Sequence, residues 1–391
     1  MATISGRAAL AGLLSGFVGF ASSFAIVLKG LIAVGATPAQ AASGLLAAAV
    51  AMGLAGIVLS LATRMPVSAA WSTPGAALLA STGAVEGGFA AAVGAFLVTG
   101  LLIVAAGLFK PLGRAIAAIP PALANAMLAG VLLGLCLAPA RAVAQFPAIA
   151  LAIVVVWAIV VRINRLLAVP AAVVALLVAM IFQQQTAWPV GIALAPRLEL
   201  VTPFFTTAAI VGIALPLFLV TMASQNIPGM AVLNANGYRP EAGPLFTTTG
   251  VFTLLAAPFG GHAVNLAAIT AALCANPDAH PDPSRRYWAA VIAGLTYVAF
   301  GLTATAATAF ISSSPPILIE AVAGLALLGA FASATYAALR EENTREAAVV
   351  TFLVTASGLT FLGIGGAFWG LLAGGALYAI DRWRSRSRRV G

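Results

Sequence analysis

Charge is what this sequence has least of. Of its 391 residues, 19 are basic and 10 acidic, 7% in all. Soluble globular chains carry about 25% charged residues. So few ionised side chains cannot dress the surface of a water-facing body of this length. That excludes a soluble enzyme, a disordered chain and a nucleic-acid-binding domain, even with a net charge of +9. Cysteine is scarce too: Cys136 and Cys274 each lie in an apolar run and make no disulfide framework or metal-ligand spacing. Lys29 and Lys110 are the only lysines, and neither belongs to a Walker loop. The HExxH, CxxC and GxSxG patterns are missing as well. The chain is therefore expected to be no enzyme and no nucleotide-driven pump, with no metal and no cofactor.

What is present is apolar: 62% of the residues are hydrophobic. A spanning helix needs about 20 mostly apolar residues to cross a hydrocarbon core of about 30 Å. Cutting the chain at charged residues and at Pro/Gly/Asn clusters gives fourteen candidate spans. They are 10–33, 39–62, 67–82, 87–109, 120–138, 145–161, 166–184, 203–226, 243–257, 260–275, 287–311, 316–338, 346–362 and 365–382. Three of these, 67–82, 243–257 and 260–275, fall short of a full crossing. The second can borrow residues from the preceding loop; the other two are hemmed in. The basic residues test the count. With the N-terminus in the cytoplasm, only Lys29, Arg141 and Arg197 fall outside, which leaves 16 of the 19 inside. Cytoplasmic loops carry the excess of Lys and Arg, and one miscounted span would invert every later loop. Arg7, an apolar stretch and Ala39-Gln40-Ala41 resemble a cleavable leader. The run from Ala8 to Val34 is too long for a signal core and is read as the first span.

Fourteen divides as seven plus seven. An odd number per half sets the halves in opposite orientations, the inverted repeat of many secondary transporters. A shift of 192 residues (258 minus 66) lays Pro66-Val67-Ser68-Ala69 on Pro258-Phe259-Gly260-Gly261, Ala70 on His262 and Thr73 on Asn265. It pairs the two hemmed-in spans. Short apolar segments at matching positions of two halves mark a transport site. Non-helical backbone survives at membrane depth only where protein or a water-filled cavity satisfies it. Each segment is expected to enter extended and then start a half-helix whose N-terminus carries about +0.5 charge. Two such ends facing each other suit one carboxylate. The plain alternative is a pair of ordinary helices with ragged ends.

No acidic residue, Lys or Arg is central to a span, since a central charge costs about 2.5–3.5 kcal/mol. A carboxylate relay is therefore not expected. His262 follows Gly260-Gly261 at the expected start of the second half-helix. It is the one well-placed group that titrates near neutral pH. It reads as a substrate ligand, a proton site or both, against a neutral histidine bonding a nearby carbonyl. Span 8 is expected to end in Ser224-Gln225-Asn226-Ile227-Pro228-Gly229. The amides Gln225 and Asn226 must bond a ligand or another helix. Trp71-Ser72-Thr73-Pro74 opens the first half-helix. Proline suits a first helical turn, and Ser72 and Thr73 suit its cap or a ligand. Trp71 either stacks on an aromatic substrate or fills space. Ser22 and Ser23 are weaker candidates. The pairs Gly12/Gly16, Gly130/Gly134 and Gly370/Gly374 read as close helix contacts.

Four stretches resemble the benzoate:proton symporter family of the BenE type. They are Gly19-Phe20-Ala21-Ser22-Ser23, Trp71-Ser72-Thr73-Pro74-Gly75-Ala76-Ala77, Ala223-Ser224-Gln225-Asn226-Ile227-Pro228-Gly229 and Phe259-Gly260-Gly261-His262-Ala263-Val264-Asn265. The resemblance runs nearly end to end and extends more distantly to the nucleobase and sulfate permease fold. It implies an all-α polytopic membrane protein of fourteen transmembrane segments, a 7+7 inverted repeat with half-helices in spans 3 and 10. A core domain would comprise 1–114 and 201–311. A gate domain would comprise 115–200 and 312–391, the latter ending in a basic cytoplasmic tail.

Substrate is then expected between the half-helices, at Ser22, Ser23, Phe24, Trp71, Ser72, Thr73, Gln225, Asn226, His262 and Asn265, with proton coupling at His262. Gln225 and His262 stand near positions where nucleobase permeases place glutamates. An amide and a histidine can donate to an oxyanion, which suits a carboxylate better than a base. The function implied is secondary active import of benzoate or a related aromatic carboxylate by proton symport with alternating access. The partners are that acid, a proton and the lipid bilayer, with no nucleic acid; a homodimer is compatible. The location implied is the bacterial inner membrane with both termini cytoplasmic. The alternatives are a permease for another anion or a nucleobase, a passive channel, and a membrane subunit with no transport role.

Overall fold

The computed structural model describes residues 5–109, 120–165, 167–182, 197–361 and 364–390. Helices dominate. The first stretch holds α1 (Gly6–Ala21), α2 (Phe24–Ala33), α3 (Pro38–Thr63), β1 (Ala69–Trp71), α4 (Thr73–Thr82) and α5 (Gly88–Leu108). Next come α6 (Pro121–Cys136), α7 (Ala138–Gln145), α8 (Pro147–Ile163) and α9 (Ala168–Phe182). The rest holds α10 (Thr207–Ala235), α11 (Ala242–Ala256), β2 (Val264–Leu266), α12 (Ala268–Ala275), α13 (Tyr287–Gly301), α14 (Ala304–Ser313), α15 (Pro316–Leu339) and α16 (Arg345–Ala356). A two-residue hairpin, β3 (Thr360–Phe361) with β4 (Ile364–Gly365), precedes α17 (Gly366–Val390). Lys110, Arg114, the 114/115 boundary and the ends of the spans expected at 166–184 and 346–362 lie outside the described residues.

Among the described residues, seven helices are long and apolar enough to cross a membrane. The count is eight if Pro283–Gly301 and Ala304–Ile311, bent by 57°, form one span. Of the other expected spans, α8 has 17 residues, α9 15 and α16 12, while the 25-residue α17 is long but is not among the seven.

The two hemmed-in segments are strand-then-helix units, not ordinary helices. β1 leads into the 10-residue α4 and β2 into the 8-residue α12. The strands pair antiparallel, Ala69 with Leu266, Ala70 with Asn265 and Trp71 with Val264. Strand and helix starts both correspond at a shift of 195 residues (264 minus 69, 268 minus 73). The expected shift of 192 is therefore three residues out of register. It was anchored on prolines in unlike settings: Pro66 lies on irregular backbone and Pro258 in a 3₁₀ turn.

Two further expectations change. Span 1 crosses as one 28-residue span, Gly6–Ala33, with a break at Ser22 and Ser23 that separates α1 from α2. Both hydroxyls donate to the Gly19 carbonyl, at 3.4 and 3.1 Å, a local bond that competes with helix continuation. Span 8 does not end at Asn226. Helix α10 continues to Ala235 through two π turns, Ile210–Ala214 and Met222–Asn226. Proline follows two residues after each, at Pro216 and Pro228. Proline lacks the N–H that an α-helical ladder needs, and wider turns before it respace the bonding without breaking the helix.

Helices α1 to α5 pack chiefly with α10 to α13, and α6 to α9 pack chiefly with α15 to α17. Close backbone approach makes the first set possible. A Cβ on Gly53 would lie 2.5 Å from the Gly294 carbonyl, and one on Gly294 would lie 2.5 Å from that of Gly53. Gly12 and Gly16 meet α13, Gly130 and Gly370 meet Thr355, and Gly374 meets Thr351. Gly134 has no such neighbour within 4 Å, so that expected contact is not made by it.

Candidate substrate site

Extended backbone inside a helical membrane body must find partners for its N–H and C=O groups. β1 and β2 serve each other. Beyond the paired residues, Ser72 N–H donates to the Ala263 carbonyl at 2.8 Å, and Ala267 N–H to that of Ser68 at 2.9 Å. The outer edges are satisfied by side chains. Trp71 N–H donates to Met52 Sδ at 3.2 Å, Val264 N–H to Thr253 Oγ1 at 2.9 Å and Leu266 N–H to Asn226 Oδ1 at 2.8 Å. Gly229 fits here because a Cβ on it would lie 2.7 Å from Leu266 Cβ.

Ser72 is the junction. Its hydroxyl oxygen caps α4 by accepting from Gly75 N–H at 3.1 Å and also accepts from Thr221 Oγ1 at 2.9 Å. Its carbonyl lies 3.1 Å from His262 Nε2. A carbonyl can only accept, so Nε2 carries the hydrogen and Nδ1 is the lone-pair nitrogen. His262 and Asn265 are fully buried. His262 Nδ1 and Asn265 Oδ1 have no hydrogen-bond partner among the described residues. Asn265 Nδ2 donates to the Leu266 carbonyl at 2.8 Å, which fixes the amide's orientation. Unpaired buried acceptors cost about 1–3 kcal/mol each and are suited to a ligand hydroxyl, an N–H or a proton. The N-terminus of α12 differs from that of α4. Its cap position is Ala267, which offers no side-chain oxygen to its first-turn N–H groups.

His262 therefore does not start the half-helix. It precedes Ala268 by six residues (268 minus 262), on the turn into β2, where Gly260 takes φ 85°. The chain stays extended from there to pair with β1, and His262 is held by the other unit's cap.

An aromatic wall lies beside this junction. Trp71 Nε1 donates to Ser23 Oγ at 2.8 Å, and Phe20 sits 5.3 Å from the Trp71 ring. Phe20 also stacks on Phe24 at 5.8 Å and on Phe300 at 5.2 Å. The Ser22 hydroxyl bonds only the Gly19 carbonyl among the described residues. Gln225 and Thr73 are half-buried, and neither side chain has a hydrogen-bond partner among the described residues. Gln225 lies on the π turn between Thr221, which holds Ser72, and Asn226, which holds Leu266. The structure thus joins Ser23, Phe24 and Trp71 in one cluster, Ser72 and His262 in a second, and Asn226 and Asn265 through Leu266 in a third. Ser22, Thr73 and Gln225 adjoin these without a bond to them.

Phe20, Thr221, Thr253 and Phe300 escaped the sequence reading. Phe20 had a signal, since it lies within a stretch already singled out. A threonine in an apolar helix and a phenylalanine near the end of one look like packing.

Two strand-then-helix units paired through their strands, in a mostly helical body with apolar spans, define the class as a polytopic membrane-type fold. Solved structures share it. The transmembrane domain of the cyanobacterial bicarbonate transporter BicA has a TM-score of 0.61 at 15% identity, covering 95% of this chain and 98% of that one. SLC26A9 has a TM-score of 0.61 at 14% identity, covering 95% and 65%. At such identities the likeness concerns the fold.

The sequence goes further. The profile of the family described as BenE, benzoate membrane transport protein, matches residues 2–380. The chain is 44% identical over 373 residues to the inner membrane protein YdcO of Escherichia coli strain K12, covering 95% of each. It is 32% identical over 374 residues to the benzoate membrane transport protein of Acinetobacter baylyi, covering 95% and 94%. The chain belongs to the BenE family of benzoate membrane transport proteins, and is a multi-pass membrane transporter.

Proposed function

We propose that this protein imports benzoate or a related aromatic carboxylate with a proton, by alternating access across a bacterial inner membrane, with both termini cytoplasmic. One observation carries the reading. The β1–β2 crossing presents two fully buried, unpartnered acceptors, His262 Nδ1 and Asn265 Oδ1, next to an α12 N-terminus without a side-chain cap. An incoming carboxylate takes the free N–H groups of α12, and Gln225 Nε2 donates to it. Protonation at His262 Nδ1 turns that nitrogen into a donor for the anion, which ties one proton to one carboxylate. Thr73 supplies a hydroxyl at the opposite helix end. Trp71 and Phe24 flank the ring. Ser22 and Ser23 hold the break that brings Phe24 to Trp71, and Ser72 and Asn226 hold the strands.

In this reading the protein has fourteen spans as a 7+7 inverted repeat. The set around α1–α5 and α10–α13 is the core, residues 1–114 and 201–311. The set around α6–α9 and α15–α17 is the gate, residues 115–200 and 312–391. Core sliding on gate exposes the crossing to either side in turn. The protein works alone or as a homodimer.

The experiment is uptake of labelled benzoate into proteoliposomes under an imposed inward proton gradient, with and without sodium. Accumulation above equilibrium that requires the proton gradient and not sodium supports symport. Uptake that stops at equilibrium identifies a channel and overturns the proposal. Loss of proton-driven uptake in His262→Ala is expected.

A further inference from the structure

Among the described residues, a single ion pair joins two different helices. Lys29 Nζ lies 2.5 Å from Glu320 Oε1. Lys29 is on α2, beside Gly30, whose added Cβ would sit 2.5 Å from the Ala76 carbonyl of α4. Glu320 is near the start of α15, which packs mainly with α6 and α7. The pair therefore bridges the seam between the two packing sets. On the helices packed against α2, which are α1, α3, α4, α14 and α15, the only other charged side chain is Arg7 at the far end of α1. The sequence reading placed Lys29 and Glu320 near span ends and gave neither a task.

Both side chains keep part of their surface, 23% for Lys29 and 28% for Glu320. Charges turned to hydrocarbon are strongly disfavoured. The open side of the pair therefore faces water, in keeping with Lys29 at the outer end of its span. Lys29 stands five residues beyond Phe24, about 7.5 Å of helix. An anion held at Lys29 is thus on the same short helix as Phe24, one ring of the aromatic wall.

On the reading of function given above, we infer that Lys29 is a second carboxylate-binding position, on the approach to the crossing, and that Glu320 occupies it as a stand-in for the substrate's own carboxylate. The ligand class is a monocarboxylate anion, which offers Lys29 the group it already holds. Substrate competes with a tethered rival, and movement of α15 away from α2 frees the ammonium.

A tethered rival leaves a signature that a structural clasp does not. Breaking a clasp from either side has the same effect, whereas here the two partners act in opposite directions. The test measures initial rates of labelled benzoate uptake in proteoliposomes for the wild type, Lys29→Gln, Glu320→Gln and the double variant, each checked for a monodisperse profile in detergent. Lys29→Gln is expected to raise the half-saturating benzoate concentration at least about tenfold. Glu320→Gln is expected to lower it severalfold, and the double variant to follow Lys29→Gln. Single variants that shift it in the same direction, or a double variant that matches wild type, overturn the inference. If Lys29→Gln does not assemble, Glu320→Gln decides alone, and a raised value contradicts the assignment. Wild-type protein that takes up no benzoate removes the functional reading together with this one. Uptake by the wild type with agreeing signs in the variants removes this inference only.

Discussion

Replacing Asn226 by leucine takes away the acceptor of the Leu266 N–H. That N–H lies on the outer edge of β2 and bonds Asn226 Oδ1 at 2.8 Å, and both residues are buried, at 0% and 1% exposure. Leucine keeps the branched outline of asparagine with bulkier methyl groups, so overpacking adds to the loss of the bond. A buried donor left unpaired costs about 1–3 kcal/mol. The strand carrying Asn265 then loses one of its side-chain anchors, and benzoate binding is expected to weaken by about tenfold for each 1.4 kcal/mol that reaches the site. Gln225→Leu, one residue away, is the control. Gln225 has no hydrogen-bond partner among the described residues, so its loss is expected to leave stability within about 0.5 kcal/mol while binding falls. Thermal unfolding in detergent and titration calorimetry with benzoate read the two effects separately. Unchanged stability in Asn226→Leu refutes the anchoring argument. A Gln225→Leu variant that is destabilised yet binds normally refutes the division of labour along the π turn.

Ser72→Ala removes the cap of α4 and the acceptor of Thr221, with an expected loss of about 0.5–2 kcal/mol from the cap alone, read as a lower unfolding temperature. Trp71→Phe keeps a ring beside Phe20 but loses the bond to Ser23, an expected change of about 1 kcal/mol with benzoate transport retained. Gly294→Val drives a side chain into the Gly53 carbonyl and is expected to cost about 1–3 kcal/mol by overpacking, seen as loss of monodisperse protein. Val58→Ala at a 47% exposed position serves as the matched control and is expected to be neutral.

Much of the architecture was legible because membrane physics leaves few options. Apolar runs mark helices, and the two segments too short to cross proved to be the strand-then-helix units. The Pro74 and Ser72 signals placed the start of α4 correctly, since capping is local chemistry. The start of α12 was not readable, because Ala267 and Ala268 carry no capping side chain and the extended course of 262–267 is imposed by pairing with β1. Gly260-Gly261 marks the turn, but His262 after it lies on extended backbone leading into β2, not at a helix start. The π turns of α10 were hidden for a related reason: Pro-Gly after two amides reads as a helix end unless the backbone ladder is known to be respaced. Lys29 and Glu320, 291 positions apart (320 minus 29), carry no mutual signal in one sequence.

The central claim is that a carboxylate binds where β1 and β2 cross. An experimental structure with 4-bromobenzoate bound, in which the heavy atom marks the ring, tests it most directly. The strongest bromine position is expected beside Trp71 and Phe24, with the carboxylate in hydrogen-bond reach of the α12 N-terminus and Gln225. A strongest position away from both strands, with His262 Nδ1 still unpartnered, contradicts it.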